Sequence, residues 1–169
     1  MFGFGNSKQK KYKKALEEFL QKMLKIPPLI LVLILVTTNY LSKNKLEIIY
    51  LPDKHSISLL ILLIGIFILI NPVFKFIKSK TTVNPIKFKK VNKLVTSGIY
   101  KYSRNPIYLG KILIIISTTV FYLNYYSMIT PLIFYFWINR FQIKREEVFL
   151  KEKFGKEYLL YCSKTRRWI

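Results

Sequence analysis

The chain has 169 residues, 51% of them hydrophobic, yet it carries 29 Lys and Arg against 8 Asp and Glu, a net charge of +21. A soluble domain of this size is seldom so apolar and so charged at once, and the two properties coexist when they are segregated into apolar runs and basic connectors. One cysteine, Cys162, excludes an intramolecular disulfide and a cysteine-rich metal site, and one histidine, His55, excludes histidine-based metal clusters; neither G-x-G-x-x-G nor a P-loop occurs.

Residues 1–25 carry Tyr12, Ala15, Leu16, Phe19, Leu20, Met23 and Leu24 at helical spacing, with lysines on much of the other face. That pattern predicts an amphipathic helix lying in a membrane interface. The first uncharged run follows, Ile26 to Leu41, with Pro27 and Pro28 suited to a helix start. It lacks a small-x-small cleavage pattern and reads as a retained anchor rather than a removed signal peptide. Ser56 to Phe74 is a second uncharged run, which Pro72 is expected to end or kink. The third, Ile112 to Asn139, is too long for one crossing and is expected to break at a polar, aromatic turn near Asn124.

Lysine and arginine concentrate in residues 1–25, 75–104 and 140–169, and are sparse or balanced by acids in 42–55 and absent from 123–127. The cytoplasmic bias of basic flanks then gives an in, out, in, out, in topology. The expected fold is all-α: an integral membrane bundle of about four transmembrane helices, an N-terminal amphipathic helix, and a cytoplasmic C-terminal helical segment, both termini being cytoplasmic. The parts fall at 1–25, 26–80 and 81–169. The charge follows this topology, and nucleic acid is not an expected partner. No Asp or Glu lies at membrane depth, and Lys111, a turn inside the third span, can snorkel outward. Proton-coupled transporters and ion channels normally place ionisable groups on their pathway, so both are disfavoured.

The residues with chemical character lie in the basic segments. Leu94 to Gly110 contains Asn105-Pro106, an N-cap and first-turn signal that would present unpaired N–H groups beside Arg104, with Tyr100, Tyr102 and Tyr108 as flat surfaces. A capped span start with interfacial tyrosines explains the same residues without function. The second segment starts at Arg145-Glu146-Glu147 and ends in Thr165-Arg-Arg-Trp-Ile169. Val148, Phe149, Phe154, Tyr158 and Tyr161 are expected to pack it back on the bundle, and Glu146 and Glu147 could simply be a solvated pair.

Taken together and in order, Thr81-Thr-Val-Asn-Pro85, Leu94-Val-Thr-Ser-Gly-Ile-Tyr100, Arg104-Asn-Pro-Ile-Tyr108, Glu146-Glu147 and Phe154-Gly-Lys-Glu-Tyr158 resemble the isoprenylcysteine carboxyl methyltransferase family and its wider phospholipid-methyltransferase superfamily. The resemblance covers roughly the C-terminal half. It implies S-adenosylmethionine as cofactor, bound at the cytoplasmic surface between the last two spans and the C-terminal segment, and a membrane lipid or lipophilic substrate admitted from the bilayer. It carries cofactor binding onto Asn92, Lys93, Leu94, Val95, Tyr100, Arg104, Asn105, Pro106, Ile107, Tyr108, Glu146 and Glu147. Two departures stand out: Asn105 replaces the family's histidine, and Gln142 takes the place of an arginine near the substrate carboxylate, with Arg140 and Lys144 expected to point elsewhere. Gln142 is the substrate-side candidate, no residue is assigned as a catalytic base, and no metal is expected.

The mechanism these residues imply is in-line transfer of a methyl group, in which the protein's main task is positioning. Glu146 is the best cofactor contact, while Tyr100, Tyr108 and Asn105 shape the pocket. Phospholipid or lipid-amine N-methylation is the nearest alternative, made more plausible by Gln142. A sterol-reductase-like relative using a nicotinamide cofactor is more distant. A non-enzymatic membrane subunit whose basic loops bind anionic lipid or a partner protein belongs to another class.

Overall fold

A computed structural model of the chain describes residues 27–78 and 94–169, and these are all-helical, with no strand among them. The amphipathic helix expected at 1–25 and the Thr81–Pro85 motif lie outside the described residues. The elements are α1 (Pro28–Leu41), α2 (Lys54–Lys78), a 3-10 turn (Gly98–Lys101), α3 (Pro106–Tyr122), α4 (Tyr125–Trp137), a π-helical segment (Ile138–Ile143) and α5 (Lys144–Lys164). Helix α4, the π segment and α5 run on without a connecting loop.

Proline and polar residues set the helix ends. Pro28 opens α1 and Pro106 opens α3, each at a position where a missing N–H costs nothing. The break expected near Asn124 is a tight turn. Leu123 takes the left-handed conformation and its N–H bonds to the Thr119 carbonyl. Asn124 and Ser127 then form a reciprocal capping box that starts α4. Pro72 does not end the helix: α2 continues through it to Lys78.

Helix α3 is central, with α2 on one flank and α1 and α4 on the other. It crosses α2 at Gly65 and Gly110 with the backbones nearly touching. A Cβ added at Gly110 would lie 2.8 Å from both the Gly65 carbonyl oxygen and the Leu69 amide nitrogen. Toward α1 and α4 the core is built from Leu31, Val32, Leu35, Ile115, Phe134 and Ile138, with Tyr108 and Trp137 at one end. At the opposite end a buried polar cluster ties three helices together. Asn39 Nδ2 donates to Thr118 Oγ1 at 2.8 Å, Thr130 Oγ1 donates to Asn39 Oδ1 at 3.1 Å, and Asn124 Nδ2 donates to the Ser42 carbonyl at 3.0 Å.

The outward faces are apolar. Leu29 and Leu33 on α1, Leu63 and Phe67 on α2, and Leu132 and Phe136 on α4 are all exposed. Among the described residues one helix, over Lys54–Pro72, is long and apolar enough to cross a membrane, whereas Pro28–Leu41 and Pro106–Tyr122 are apolar but shorter.

Candidate active site

Three chain segments meet at the end of the bundle where α3 begins. Tyr108, in the first turn of α3, donates its hydroxyl to Glu146 Oε1 at 2.5 Å, and Gln142 Nε2 donates to the same oxygen at 2.8 Å. The π-helical segment bears on this geometry. A wider turn shifts the residues that follow it around the helix, and such segments recur at functional sites. Gln142 is buried in the π segment and Glu146 follows four residues later, on the same side. Arg140 and Lys144 are exposed, in keeping with the helical phase expected for them.

Glu146 is half-buried at this end of the bundle. Burial pushes its pKa above the ordinary carboxyl range, opposed by the hydrogen bonds from Tyr108 and Gln142 and by the charge of Lys111. Both hydrogen bonds end on Oε1, so the carboxylate retains acceptor capacity for a ligand. Lys111 was expected to snorkel. Its ammonium reaches back toward the start of α3 and lies 5.1 Å from the centre of the Tyr108 ring, on the Glu146 side. The Tyr108-to-Lys111 spacing of three residues on one helix was the signal for that pairing.

A second cluster adjoins the first. Leu94, Tyr100, Tyr158 and Tyr161 form a small core with Val95, Ile99, Leu150 and Phe154 around it. Tyr161 donates its hydroxyl to the Tyr100 carbonyl at 2.7 Å. Burial pushes the phenols of Tyr100, Tyr158 and Tyr161 upward, so all three stay neutral O–H groups. Gly155 makes this packing possible by breaking α5 at φ 49°, ψ −119°, a conformation that side chains with a Cβ avoid. Of the residues expected to pack the segment back, Phe154, Tyr158 and Tyr161 do so, whereas Val148 is exposed and Phe149 carries Lys153 over its ring.

The remaining candidates hold the C-terminus. Asn105 occupies the N-cap position of α3, but its side chain does not cap: Nδ2 donates to the Arg167 carbonyl at 3.0 Å. The Arg104 amide donates to the Arg166 carbonyl at 3.0 Å. Arg104 Nη1 lies 2.8 Å from Cys162 Sγ and 3.3 Å from Glu147 Oε1. Arg167 grips Glu147 with a two-pronged fork, Nε to Oε1 at 2.9 Å and Nη2 to Oε2 at 2.6 Å. Trp168 Nε1 donates to Asn139 Oδ1 at 3.3 Å, and the ring centroids of Trp168 and Tyr135 are 5.4 Å apart. Arg167 and Trp168 were not singled out from sequence, because nothing local in Arg-Arg-Trp indicates what it folds onto.

The candidates named from sequence therefore separate. Tyr100, Tyr108, Gln142 and Glu146 converge; Arg104, Asn105 and Glu147 bind the C-terminal segment; Leu94 and Val95 pack beneath Tyr158 and Tyr161. Pro106 is fully buried and Ile107 half-buried at the start of α3. Asn92 and Lys93 lie outside the described residues.

Glu146, Gln142 and Tyr108 thus meet at one end of an apolar helical core. A family model described as phospholipid methyltransferase matches residues 54–157, more than half of the chain, and the chain belongs to that family. It is 34% identical over 90 residues to a probable protein-S-isoprenylcysteine O-methyltransferase of Oryza sativa subsp. indica, covering 52% of this chain and 46% of that protein. It is 31% identical over 88 residues to protein-S-isoprenylcysteine O-methyltransferase B of Arabidopsis thaliana, covering 52% and 45%. The chain thus spans about half the length of these named relatives. An uncharacterized protein of Haemophilus influenzae is 43% identical over 63 residues, 37% of this chain and 100% of that protein. No solved structure gives a significant match.

Proposed function

We propose that the chain is an integral membrane enzyme that takes a methyl group from S-adenosylmethionine and passes it to a lipophilic or amphipathic acceptor at the cytoplasmic face. The observation that carries this is the Glu146 carboxylate, gathered with Tyr108, Gln142 and Tyr100 where the apolar bundle ends. The site suits such a donor. Glu146 has acceptor capacity for ribose hydroxyls or an ammonium group, and Tyr100 and Tyr108 contribute aromatic surface. Two buried donors, Arg104 Nε and Trp137 Nε1, have no hydrogen-bond partner among the described residues. When bound, S-adenosylmethionine supplies an electrophilic methyl group on a sulfonium.

The protein's own contribution is positional. Tyr108 and Gln142 fix the Glu146 rotamer from two directions, and the close crossing at Gly65 and Gly110 fixes the height of α3 against α2. Holding two reactants in line can supply about 7–11 kcal/mol of a barrier without any catalytic base. A carboxylate acceptor would need none, whereas an amine acceptor must arrive deprotonated.

Membrane insertion is part of this reading. Helix α3 has 17 residues, and α4 with the π segment makes 19 continuous helical residues, 13 and 6. Both fall within the roughly 17–25 residues that span a bilayer. The exposed apolar faces of α1, α2 and α4 suit lipid, and the distribution of lysine and arginine supports a cytoplasmic position for the site.

Phospholipid or lipid-amine N-methylation is the second reading, favoured by Gln142. Its amide is committed to Glu146, so position 142 provides no cation for an acceptor carboxylate. The test of the main reading is titration of detergent-purified protein with S-adenosylmethionine and S-adenosylhomocysteine. Binding in the micromolar range that is lost in Glu146→Ala and Tyr108→Ala is expected. Folded wild-type protein that binds neither would overturn the enzyme reading and leave a membrane subunit.

A further inference from the structure

Residues 165–168 form a strap across the end of the bundle, and it is tied to every element that builds the candidate site. The Arg166 and Arg167 carbonyls accept from Arg104 and Asn105, just before α3. Arg167 is forked on Glu147 of α5, and Trp168 reaches Asn139 in the π segment and Tyr135 on α4. Thr165 Oγ1 adds a long contact to the Lys101 carbonyl at 3.4 Å, beside Tyr100.

Glu146 and Glu147 are adjacent on α5 and, about 100° apart on a helix, face different partners. Glu146 faces Tyr108 and Gln142, while Glu147 faces Arg104 and Arg167. The rotation of α5 is therefore held from two sides, by the site and by the strap. A rigid planar guanidinium engaging both carboxylate oxygens fixes orientation in a way that a single point contact does not.

We propose that the C-terminal strap is a positioning element of the methyl-donor site: Arg167, through its fork on Glu147, fixes the rotation of α5 that turns Glu146 toward Tyr108. The inference rests on the reading of Glu146 as a donor contact. It gives Arg104, Asn105 and Glu147 a role that does not require them to touch the donor. Arg167 is a positioning residue, and its effect is exerted on affinity.

The test is calorimetric titration of full-length, detergent-purified protein with S-adenosylhomocysteine, alongside thermal melts, for wild type, Arg167→Gln and Arg167→Lys. Arg104 stays beside Glu147 in both variants, so the carboxylate keeps a cation and only the fork is altered. Arg167→Gln is expected to weaken binding about ten-fold, the loss of a charge-assisted hydrogen bond, and Arg167→Lys to recover part of it. A strap that merely stabilised the fold would lower the melting temperature and leave the Kd of the folded protein unchanged. That result in Arg167→Gln overturns the proposal. Should that variant not fold, Arg167→Lys decides, and wild-type affinity there overturns it too. Wild-type protein that fails to bind removes the donor reading itself and the strap's role with it, an outcome distinct from binding that Arg167 does not affect.

Discussion

The two ends of the bundle are both polar and both buried, but they spend their polar groups differently. At the Asn39 and Asn124 end the groups are neutral and satisfy one another. The two asparagines, Ser42, Ser127 and Thr130 share a closed set of hydrogen bonds that links α1, α3 and α4. At the Glu146 end charged groups are present, and two buried donors, Arg104 Nε and Trp137 Nε1, have no partner among the described residues. A closed neutral network fixes the fold, whereas an unpaired buried donor costs free energy that a ligand can return. The contrast separates the end that holds the bundle together from the end where the donor site is proposed.

Exchanging the roles of the two ends should fail, and the largest effect is expected at Glu146. Glu146→Ala should weaken S-adenosylhomocysteine binding by about 100-fold, the loss of charge-assisted hydrogen bonds. Its melting temperature should fall only slightly, because relief from burying a carboxylate offsets the loss of the acceptor for Tyr108 and Gln142. Asn124→Ala should do the reverse. Removing a capping box and a buried interhelical bond should cost about 2–3 kcal/mol in detergent unfolding, with the Kd of the folded protein retained. Equal losses of affinity in both variants would break the comparison.

Gly155 sharpens it on a smaller scale. A Cβ there meets nothing within 4 Å, so the cost of Gly155→Ala is conformational alone, about 1–2 kcal/mol. Because this break turns Tyr158 and Tyr161 onto Leu94 and Tyr100, a moderate loss of donor affinity should accompany the loss of stability.

The smallest effect is on pH. Burial lifts the Glu146 carboxyl above its ordinary value, so between the two values the native protein holds a proton that the unfolded chain has released. Stability should therefore fall as pH rises from about 4.5, the ordinary carboxyl range, through the elevated native value, and level off above it. Glu146→Gln should flatten that part of the melting profile. Donor binding that depends on the anion should strengthen across the same window, opposite in sign to stability.

Much of this organisation is legible in the order of residues. Apolar runs, Pro28 and Pro106 at helix starts, and the polar break at Asn124 define α1, α3 and α4, because helix ends are set by local hydrogen bonding and by proline's missing donor. Pro72 is the exception. A proline does signal a break locally, but α2 runs through it with the residue fully buried. Tyr108, Gln142 and Glu146 were marked by the resemblance of their ordered motifs to a methyltransferase family. Their meeting did not follow from spacing alone. It depends on a π-helical turn that no local signal in Ile138–Ile143 announces.

The sequence by itself determined the helical class, through composition, periodicity and local end signals, and the family, through an ordered set of motifs that resembles it. The tertiary structure decided how the candidates divide. Tyr108 and Gln142 turn to Glu146, while Arg104 and Asn105 turn to the C-terminal strap and Glu147 to Arg167. Neighbours in sequence diverge because adjacent helical side chains point about 100° apart. Residues some 20 to 60 positions distant meet because close packing at Gly65 and Gly110, and a strap returning from the chain's end, bring them there.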